Sequence, residues 1–360
     1  MSGEVSSLKV RDIGEQGLLE RLQRFCPPDV VGDDAAVLPA PLGQSLVVTT
    51  DVLVDGVHFS DRTTSPEDAG WRAAAANLSD LAAMGASPLG ITVGLSVTGD
   101  VAVSWVEQLY QGMTRCLKQY NTPLVGGDIC RSPVITLAIT AFGQVFPNRI
   151  LRRSAAQVGD AIVITGIHGA SRAGLELLLN PEFGENLSVG ERSLLIEAHQ
   201  RPKPRLDVLP ILWTILDSQS KIQNPGRYLR SEASSDPRAP KSNIQVAGMD
   251  SSDGLADAVL QICRASGVGA RIERSWIPQS SVLSNLVSSQ KALDWTLYGG
   301  EDFELVLCLP LEPAEALVEQ LGEGAAVIGN ITTGNEVCLT DNSSTYPDQL
   351  LTLSRGFQHF

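Results

Sequence analysis

The chain has 360 residues, more than one typical domain, and we therefore predict two domains. Hydrophobic residues make up 43% and charged residues 19% of it, a globular composition that excludes an intrinsically disordered chain. The 27 basic and 41 acidic residues give a formal charge of −14, which disfavours nucleic acid and anionic membranes as partners and favours divalent cations.

Cysteine usage and hydropathy predict a cytoplasmic protein. The six cysteines are scattered, with no C-x-x-C pair and no histidine at zinc spacing, which predicts reduced thiols. The N-terminal residues MSGEVSSLKVRDIGEQ lack the apolar segment of a signal peptide. No apolar run is long enough to span a bilayer, so we predict no membrane partner.

Strand and helix signals alternate through the N-terminal half. The β-branched run SLVVTT predicts a short strand that presents Asp51 at its tip. A helix start follows, with Ser65 as N-cap and Pro66 at the first position, and we predict that this helix ends at about Gly85. The next predicted elements are a strand from Ile91, a helix with apolar residues at 101, 105, 109 and 113, a strand PLVGGDI that enters a glycine turn, and the strand VITLAITAFGQV.

The residue pattern changes near Pro147, where an entry loop and a new strand begin. We therefore predict domains at 1–146 and 147–360. Segment 218–243 is polar, rich in Ser and Pro and without periodicity, and we predict a mobile surface insertion there. Strands and helices alternate in both halves, which predicts a two-domain α/β fold of the α+β type. Further predicted helices lie at 170–179, 191–199 and 206–217, and another ends at Gly267.

Acidic residues recur beside glycines at four predicted turns. They are Asp34 in VGDDAA, Asp128 after a glycine pair, Asp250 and Asp253 around a serine pair, and Glu301 and Asp302 after a second glycine pair. Each has an ordinary alternative, since Gly-Asp-Asp suits a solvated turn, Asp128 suits a hairpin, and one acid of the serine motif suits a helix N-cap. A single oxygen-rich site explains more of these positions than a series of independent turns.

Asp80 lies in a helix built mainly of alanine, leucine and methionine. Such a helix packs closely against its neighbours, so we expect this carboxylate to face protein and to need a cation. The alternative is an exposed polar stripe with Asn77, which is three residues earlier on the same helix face.

The acids indicate a magnesium site and phosphate chemistry. Carboxylates without clustered histidine or cysteine favour a hard cation, Mg²⁺ before Ca²⁺, and no EF-hand loop is present. The P-loop, the dinucleotide-binding fingerprint and the protein-kinase motifs are also missing. We therefore predict that metal ions hold a nucleotide by its phosphates, with Arg153 as a phosphate partner unless Arg152 and Arg153 form a solvated basic pair.

Six motifs in order, VGDDAAV, TTDVLVDGVHF, NLSDLAAMGA, VGGD, SSDGL and YGGEDFEL, followed by a C-terminal GF, carry a resemblance that covers almost the whole chain. In these motifs the chain resembles the thiamine-monophosphate kinase family, in the superfamily of aminoimidazole ribonucleotide synthetase. The resemblance implies that superfamily's two-domain fold, with N-terminal domains that bind ATP and Mg²⁺ and pair in a homodimer. It also implies ATP-dependent phosphorylation of thiamine monophosphate to thiamine diphosphate, the last step of thiamine diphosphate biosynthesis, with several Mg²⁺ ions.

The resemblance also implies roles for individual residues, and no catalytic residue beyond the metal and substrate ligands. The implied metal ligands are Asp34, Thr49, Thr50, Asp51, Asp80, Asp128, Asp250 and Asp253. The implied ATP contacts are Tyr110, Gly127, Asp128, Arg153 and Ser252. The implied substrate contacts are His58, Glu301 and Phe357. The chain departs from the family at Ser251, where an apolar residue is common, and in the length of segment 218–243, and Tyr110 lies in a helix without a tight motif.

Ordinary chemistry supports the implied substrate contacts. Phe357 suits stacking on a flat heterocycle, and Glu301 suits a positive charge or an aminopyrimidine hydrogen bond. Without the resemblance, His58 would be read as a structural histidine and Phe357 as a tail residue. Two other functions stay open, an ATP-dependent ligase of the same superfamily and a binding protein that retains the nucleotide fold without catalysis. The GGEDFEL motif and the C-terminal GF argue against the ligase.

Overall fold

The computed structural model describes residues 8–26, 42–223 and 244–355, which form two units, each built on a mixed β-sheet. In the described residues the first sheet has four strands in the order β1-β4-β2-β3, with β2 and β3 parallel. Its strands are β1 Ser45–Val54, β2 Ser87–Val97, β3 Leu124–Arg131 and β4 Thr136–Val145. Its helices are α1 Val10–Leu22, α2 Pro66–Ala83 and α3 Val103–Gln119.

The second sheet has seven strands among the described residues, in the order β11-β10-β7-β9-β5-β8-β6. The pair formed by β7 and β10 is parallel, and the other pairs are antiparallel. Its strands are β5 Ala161–Ile164, β6 Ala247–Asp250, β7 Gly269–Glu273, β8 Leu305–Leu309, β9 Ala326–Thr332, β10 Val337–Thr340 and β11 Gln349–Leu350. Its helices are α4 Ala170–Leu179, α5 Val189–Gln200, α6 Val208–Gln223, α7 Leu255–Ser266, α8 Ser281–Leu286, α9 Ser289–Tyr298 and α10 Leu311–Leu321.

Two glycines bring α2 and α3 unusually close together. A Cβ atom on Gly70 would lie 1.9 Å from the carbonyl oxygen of Leu109, and one on Gly112 would lie 1.8 Å from that of Glu67. Either distance is far below a van der Waals contact, so each helix backbone rests directly on the other. This contact fixes α2, which also touches β1 and β6 and thereby joins the two sheets.

Two predicted strand ends were wrong, because both strands continue further. β1 runs on to Val54, so Asp51 lies inside the strand opposite Ile139 and not at its tip. β3 runs through the predicted glycine turn to Arg131. At Gly127 a Cβ atom would lie 2.2 Å from the carbonyl oxygen of Val93, so this glycine permits a close approach of β2 and does not mark a turn.

The predicted helix bounds agree with the structure more closely than the predicted strand ends do. α2 begins after Ser65, whose hydroxyl accepts the N–H of Asp68, and α4 has its predicted bounds. α6 continues to Gln223, so the predicted insertion is helical over its first residues, 218–223. The rest of it, 224–243, lies outside the described residues. The first sheet ends at Val145 and the second begins at Ala161, and we retain the boundary between 146 and 147 as a proposal.

No helix in the described part of the chain is long and apolar enough to cross a membrane.

Candidate active site

Acidic side chains from both units meet at α2. The Thr49 hydroxyl on β1 donates to the carboxylate of Asp80 on α2. The Ser79 hydroxyl, one residue earlier on α2, donates to Oδ2 of Asp250 at the end of β6, at 2.7 Å. Adjacent residues of one helix therefore hold a strand of the first sheet and a strand of the second.

The pKa values of these acids show that their charges interact. Burial, followed by the charges of Asp80, Asp250 and Asp253, raises the pKa of Asp51 to about 7. Burial and the charge of Asp80 raise the pKa of Asp250 to about 6, although the Ser79 and Ser252 hydroxyls stabilise its ionised form. Burial also raises the pKa of Asp80, against the Thr49 hydrogen bond. The site concentrates negative charge that a cation would stabilise.

Arg153 places a positively charged side chain near Asp80 and Asp250. It begins a short 3₁₀ turn, Arg153–Ala155, in the segment that links the two sheets. Its charge lowers the pKa values of Asp80, Asp250 and Asp257, against the larger raising effect of burial. The guanidinium is therefore close enough to these acids to affect their ionisation, and its implied contact with a phosphate of ATP stays a prediction.

The two glycine-flanked acidic loops of the second unit touch each other. The N–H of Glu301 donates to the carbonyl oxygen of Ser252 at 2.6 Å. Gly300 has φ of +68°, and a Cβ atom on it would lie 2.8 Å from the same oxygen. The N-cap residue of α7 is Gly254, which has no capping side chain, so neither Asp250 nor Asp253 takes the alternative capping role.

Asp302 serves the fold. Its carboxylate accepts the backbone N–H groups of Gly169 and Ser171 at 2.7 and 2.9 Å, at the start of α4. The sequence grouped Asp302 with the other glycine-flanked acids, and the structure separates it from them in role.

His58 lies close to Glu301, which belongs to one of the two loops described above. The N–H of Val54 donates to Nδ1 of His58 at 3.0 Å, which leaves Nε2 to carry the proton of the neutral ring. Burial is the largest influence on the pKa of Glu301 and raises it, whereas Arg72, His199 and, in its protonated form, His58 lower it. The two implied substrate contacts therefore lie near each other, although the sequence separates them by more than two hundred residues.

Thr50 does not join the acids through its side chain. Side chains alternate along a strand, so Thr49 and Asp51 face α2 while Thr50 faces the other side of the sheet, where its hydroxyl bonds that of Thr140 at 2.8 Å. Only backbone atoms of Thr50 remain for the implied metal contact. Asp34 and Phe357 lie outside the described residues, so their implied roles stay predictions.

Two further implied contacts also stay predictions. Tyr110 is 4% exposed, and its ring centroid lies 5.6 Å from that of Phe25 in the core of the first unit. Asp128 is exposed on β3, next to Gly127 and opposite Gly94. The structure does not place either side chain among the interacting acids described above.

Sequence reasoning missed four polar residues at this site. The Ser79 hydroxyl donates to Asp250, and the charges of Asp253 and Arg153 raise and lower, respectively, the pKa of Asp257. Arg72 and His199 lie beside Glu301. Ser79 had a signal, since it precedes Asp80 in the same motif, whereas Arg72 and His199 belong to no acidic motif and their proximity depends on the packing of the two units.

The donor set fits Mg²⁺. Within residues 8–26, 42–223 and 244–355, no three His, Cys, Asp or Glu side chains form a ready metal cluster. Mg²⁺ does not need one, because it is usually held by one or two carboxylates with water and substrate phosphates completing the octahedron. Asn77 adds a buried Oδ1 without a hydrogen-bond partner in the described structure, one helical turn before Asp80.

We expect Mg²⁺ to stabilise the protein more at about pH 8 than at about pH 6. The folded-state pKa values of Asp51 and Asp250 are raised, so their ionisation opposes folding as the pH rises to about 7, and a bound cation reverses that effect. Thermal unfolding with and without Mg²⁺ should show a difference in Tm shift of roughly 2–4 °C between the two pH values. The variant Asp51→Asn should reduce that difference, and an equal shift at both pH values would contradict this account of the acids.

Comparison with known proteins decides the family. The family models "AIR synthase related protein, N-terminal domain" and "AIR synthase related protein, C-terminal domain" match residues 32–145 and 230–342. The thiamine-monophosphate kinase of Synechococcus elongatus (strain ATCC 33912 / PCC 7942 / FACHB-805) is 54% identical over 357 residues, which are 99% of each chain. The chain belongs to the thiamine-monophosphate kinase family. This confirms the resemblance in the sequence motifs.

Solved structures of the thiamine-monophosphate kinase family share the fold. The enzyme from Stenotrophomonas maltophilia K279a is 30% identical with a TM-score of 0.72, over 91% of this chain and 96% of its own. A structure described as AaThiL complexed with AMPPCP and TMP is 28% identical with a TM-score of 0.69, over 99% of this chain and 100% of its own. The predicted two-domain aminoimidazole ribonucleotide synthetase-like fold is confirmed.

Proposed function

We propose that the protein transfers the γ-phosphoryl group of ATP to the phosphate of thiamine monophosphate, which yields thiamine diphosphate and ADP. The observation that carries this proposal is the meeting of Asp51, Asp80 and Asp250 with Arg153 at α2, where both units contribute. The fold and motifs of the thiamine-monophosphate kinase family support it. Direct in-line transfer needs donor and acceptor phosphates in one place, and at this junction the carboxylates would hold cations that bind both phosphates while Arg153 would bind phosphate directly.

Several Mg²⁺ ions belong to the proposal. Asp51, Asp80 and Asp250 would hold them with the Thr49 hydroxyl and Asp253 nearby, and we retain Asp34, Thr50 and Asp128 as predicted ligands. The ions would neutralise phosphate charge, because ATP and thiamine monophosphate are both anions and repel each other. Among the residues of this chain, Arg153 adds a fixed positive charge, and the hydroxyls of Ser79 and Ser252 keep Asp250 oriented at 2.7 and 3.1 Å.

No strong general base is required for this reaction. The acceptor is a phosphate monoester whose second pKa is about 6, so it is largely ionised near pH 7. The task of the protein is to position two phosphates and to compensate their charge. We assign ATP to a site that includes Gly127, Arg153 and Ser252, and thiamine monophosphate to a site that includes His58 and Glu301. Tyr110 and Phe357 are retained as predicted contacts of ATP and of thiamine monophosphate, respectively.

Acceptor selectivity tests the proposed function. Initial rates of ADP release should require Mg²⁺ and should be high with thiamine monophosphate and low with thiamine, which lacks the acceptor phosphate. A ligase of the same superfamily would instead leave thiamine monophosphate unchanged. A binding protein without catalysis would bind ATP and release no ADP with any thiamine ester.

A homodimer through the first sheet is also part of the proposal. The outer face of the edge strand β1 exposes Leu46, Val48 and Val52 at 63, 53 and 47%. An apolar row of this kind on a sheet face favours burial against a second copy.

We expect Val48→Asp to shift the protein from dimer to monomer in analytical ultracentrifugation. The charge would be buried without a partner in the dimer interface. The matched control is Val158→Asp, because Val158 is 55% exposed and lies outside the first sheet. A monomeric wild-type protein, or a dimer that Val48→Asp does not weaken, would refute this interface.

A cytoplasmic location completes the proposal. The six cysteines are free thiols, which is typical of a reducing compartment.

A further inference from the structure

Arg72 is a buried cation whose charge the phosphate chemistry does not use. It lies on α2, and its side chain is 4% exposed. A buried guanidinium is costly unless anions and hydrogen-bond acceptors compensate it. The partners of Arg72 therefore indicate its role.

The partners of Arg72 come from the second unit. Its Nη2 donates to Oε1 of Glu301 at 2.5 Å. Its Nη1 donates to the backbone carbonyl of His199 at 2.5 Å and lies 3.3 Å from Nδ1 of the same residue. Arg72 thus joins α2 of the first unit to the end of α5 and to the loop that carries Glu301.

Glu301 is the anion that balances Arg72. Burial, with the charge of Arg72 adding to it, lowers the pKa of His199 to about 3, so this imidazole is neutral near pH 7. Burial raises the pKa of Glu301, but the charge and hydrogen bond of Arg72, together with the neighbouring His199 and His58, outweigh that effect and keep the pKa below its ordinary value. Glu301 is therefore an ionised carboxylate between a cation and a neutral ring.

The backbone of Glu301 is constrained as well. Its φ is +59°, in the left-handed region that residues with side chains rarely adopt. Arg72 holds Oε1, and Nδ1 of His199 lies 3.6 Å from Oε2, while the side chain as a whole remains 38% exposed, so the carboxylate is fixed but not sealed from solvent. A carboxylate held in this way suits recognition of a ligand that carries positive charge and amino hydrogens.

We propose that Arg72 is a positioning residue that fixes the Glu301 carboxylate for the cationic, amine-bearing part of thiamine monophosphate. This inference rests on the proposed function, in which Glu301 contacts that substrate. Arg72 acts through Glu301, so it sets affinity and selectivity for the acceptor and leaves ATP binding unchanged.

The test compares Arg72→Met and Arg72→Lys with the wild-type protein. Calorimetry would measure binding of thiamine monophosphate and of oxythiamine monophosphate, in which an oxo group replaces the amine. Arg72→Met should weaken thiamine monophosphate binding roughly 10-fold or more, reduce the preference over the oxo analogue, and change KM for ATP less than about twofold. Arg72→Lys keeps the charge without the two-sided guanidinium contact, and we expect an intermediate loss.

Arg201→Met is the matched control. Arg201 also links the units, since its Nε donates to Oδ1 of Asp68 on α2 at 2.6 Å. We expect this variant to bind thiamine monophosphate as tightly as the wild-type protein does. A loss of affinity equal to that of Arg72→Met would show that any break between the units has this effect, and would overturn the proposal.

The remaining outcomes separate the inference from the proposed function. A folded Arg72→Met that binds thiamine monophosphate normally, or that loses thiamine monophosphate and ATP equally, overturns the role of Arg72. If Arg72→Met does not fold, Arg72→Lys decides, with a selective loss of thiamine monophosphate affinity supporting the role and unchanged affinity refuting it. A wild-type protein that binds thiamine monophosphate without phosphorylating it refutes the proposed function, while the binding data still judge Arg72. A wild-type protein that does not bind it refutes both.

Discussion

Asp250→Asn should lower kcat roughly 10²-fold or more, the loss expected for a group that stabilises transition-state charge. Asp250 is 3% exposed and reaches the acidic site from the second unit, where the Ser79 hydroxyl holds it at 2.7 Å. Asparagine keeps the shape and one acceptor oxygen, so it removes the charge without removing that hydrogen bond. Steady-state rates at saturating ATP, thiamine monophosphate and Mg²⁺ would measure the effect.

Although Asp250→Asn should lower kcat, it should not lower the free energy of unfolding. Burial and the charge of Asp80 raise the pKa of Asp250, so its ionised form opposes folding in the metal-free protein. Urea unfolding near pH 8 without metal should therefore give Asp250→Asn a free energy of unfolding at least equal to that of the wild-type protein. Asp348→Asn is the control, because that side chain is 56% exposed and pairs with Arg271. A fully active Asp250→Asn would remove Asp250 from the metal site.

Gly112→Ala should lower the free energy of unfolding by about 3 kcal/mol, the upper part of the range for forced overpacking. The added Cβ would lie 1.8 Å from the carbonyl oxygen of Glu67 and 2.5 Å from its carbonyl carbon. Both are backbone atoms, so the clash can be relieved only by moving α2 away from α3. That movement would also displace Ser79 and Asp80, and we expect kcat to fall with stability.

Gly190→Ala is the matched control for this substitution. Gly190 lies in α5, and a Cβ atom on it would have no heavy atom within 4 Å. Alanine has the better helix propensity, so this variant should be as stable as the wild-type protein or more stable by up to about 1 kcal/mol. Denaturant unfolding of both variants tests the pair, and equal stabilities for Gly112→Ala and the wild-type protein would contradict the close contact of α2 and α3.

Local sequence signals predicted the elements that depend on neighbouring residues. The start of α2 follows from Ser65 and Pro66, and the helix end at Gly267 follows from the left-handed conformation that a glycine adopts there. The burial expected for Asp80 also follows from its own helix, and the raised pKa of Asp80 agrees with it. These predictions succeed because the interactions that decide them lie within a few residues.

Predictions that depend on distant strands failed for a physical reason. A glycine pair before Asp128 has turn chemistry, yet Gly127 is glycine because the carbonyl of Val93 on β2 lies where a Cβ atom would be. The contact of Arg72 with Glu301 likewise depends on distant residues, because the two are 229 positions apart in the sequence. A single sequence gives no signal for such pairs, because only the packing of the two units brings them together.

Phosphorylation of thiamine monophosphate can be followed directly by ³¹P NMR of the purified protein with Mg-ATP and thiamine monophosphate. We expect the thiamine monophosphate resonance to be replaced by the two diphosphate resonances of thiamine diphosphate, with ADP formed in equal amount, and we expect EDTA to abolish the change. ATP binding without these resonances, or hydrolysis of ATP to ADP and inorganic phosphate alone, would contradict the proposed function.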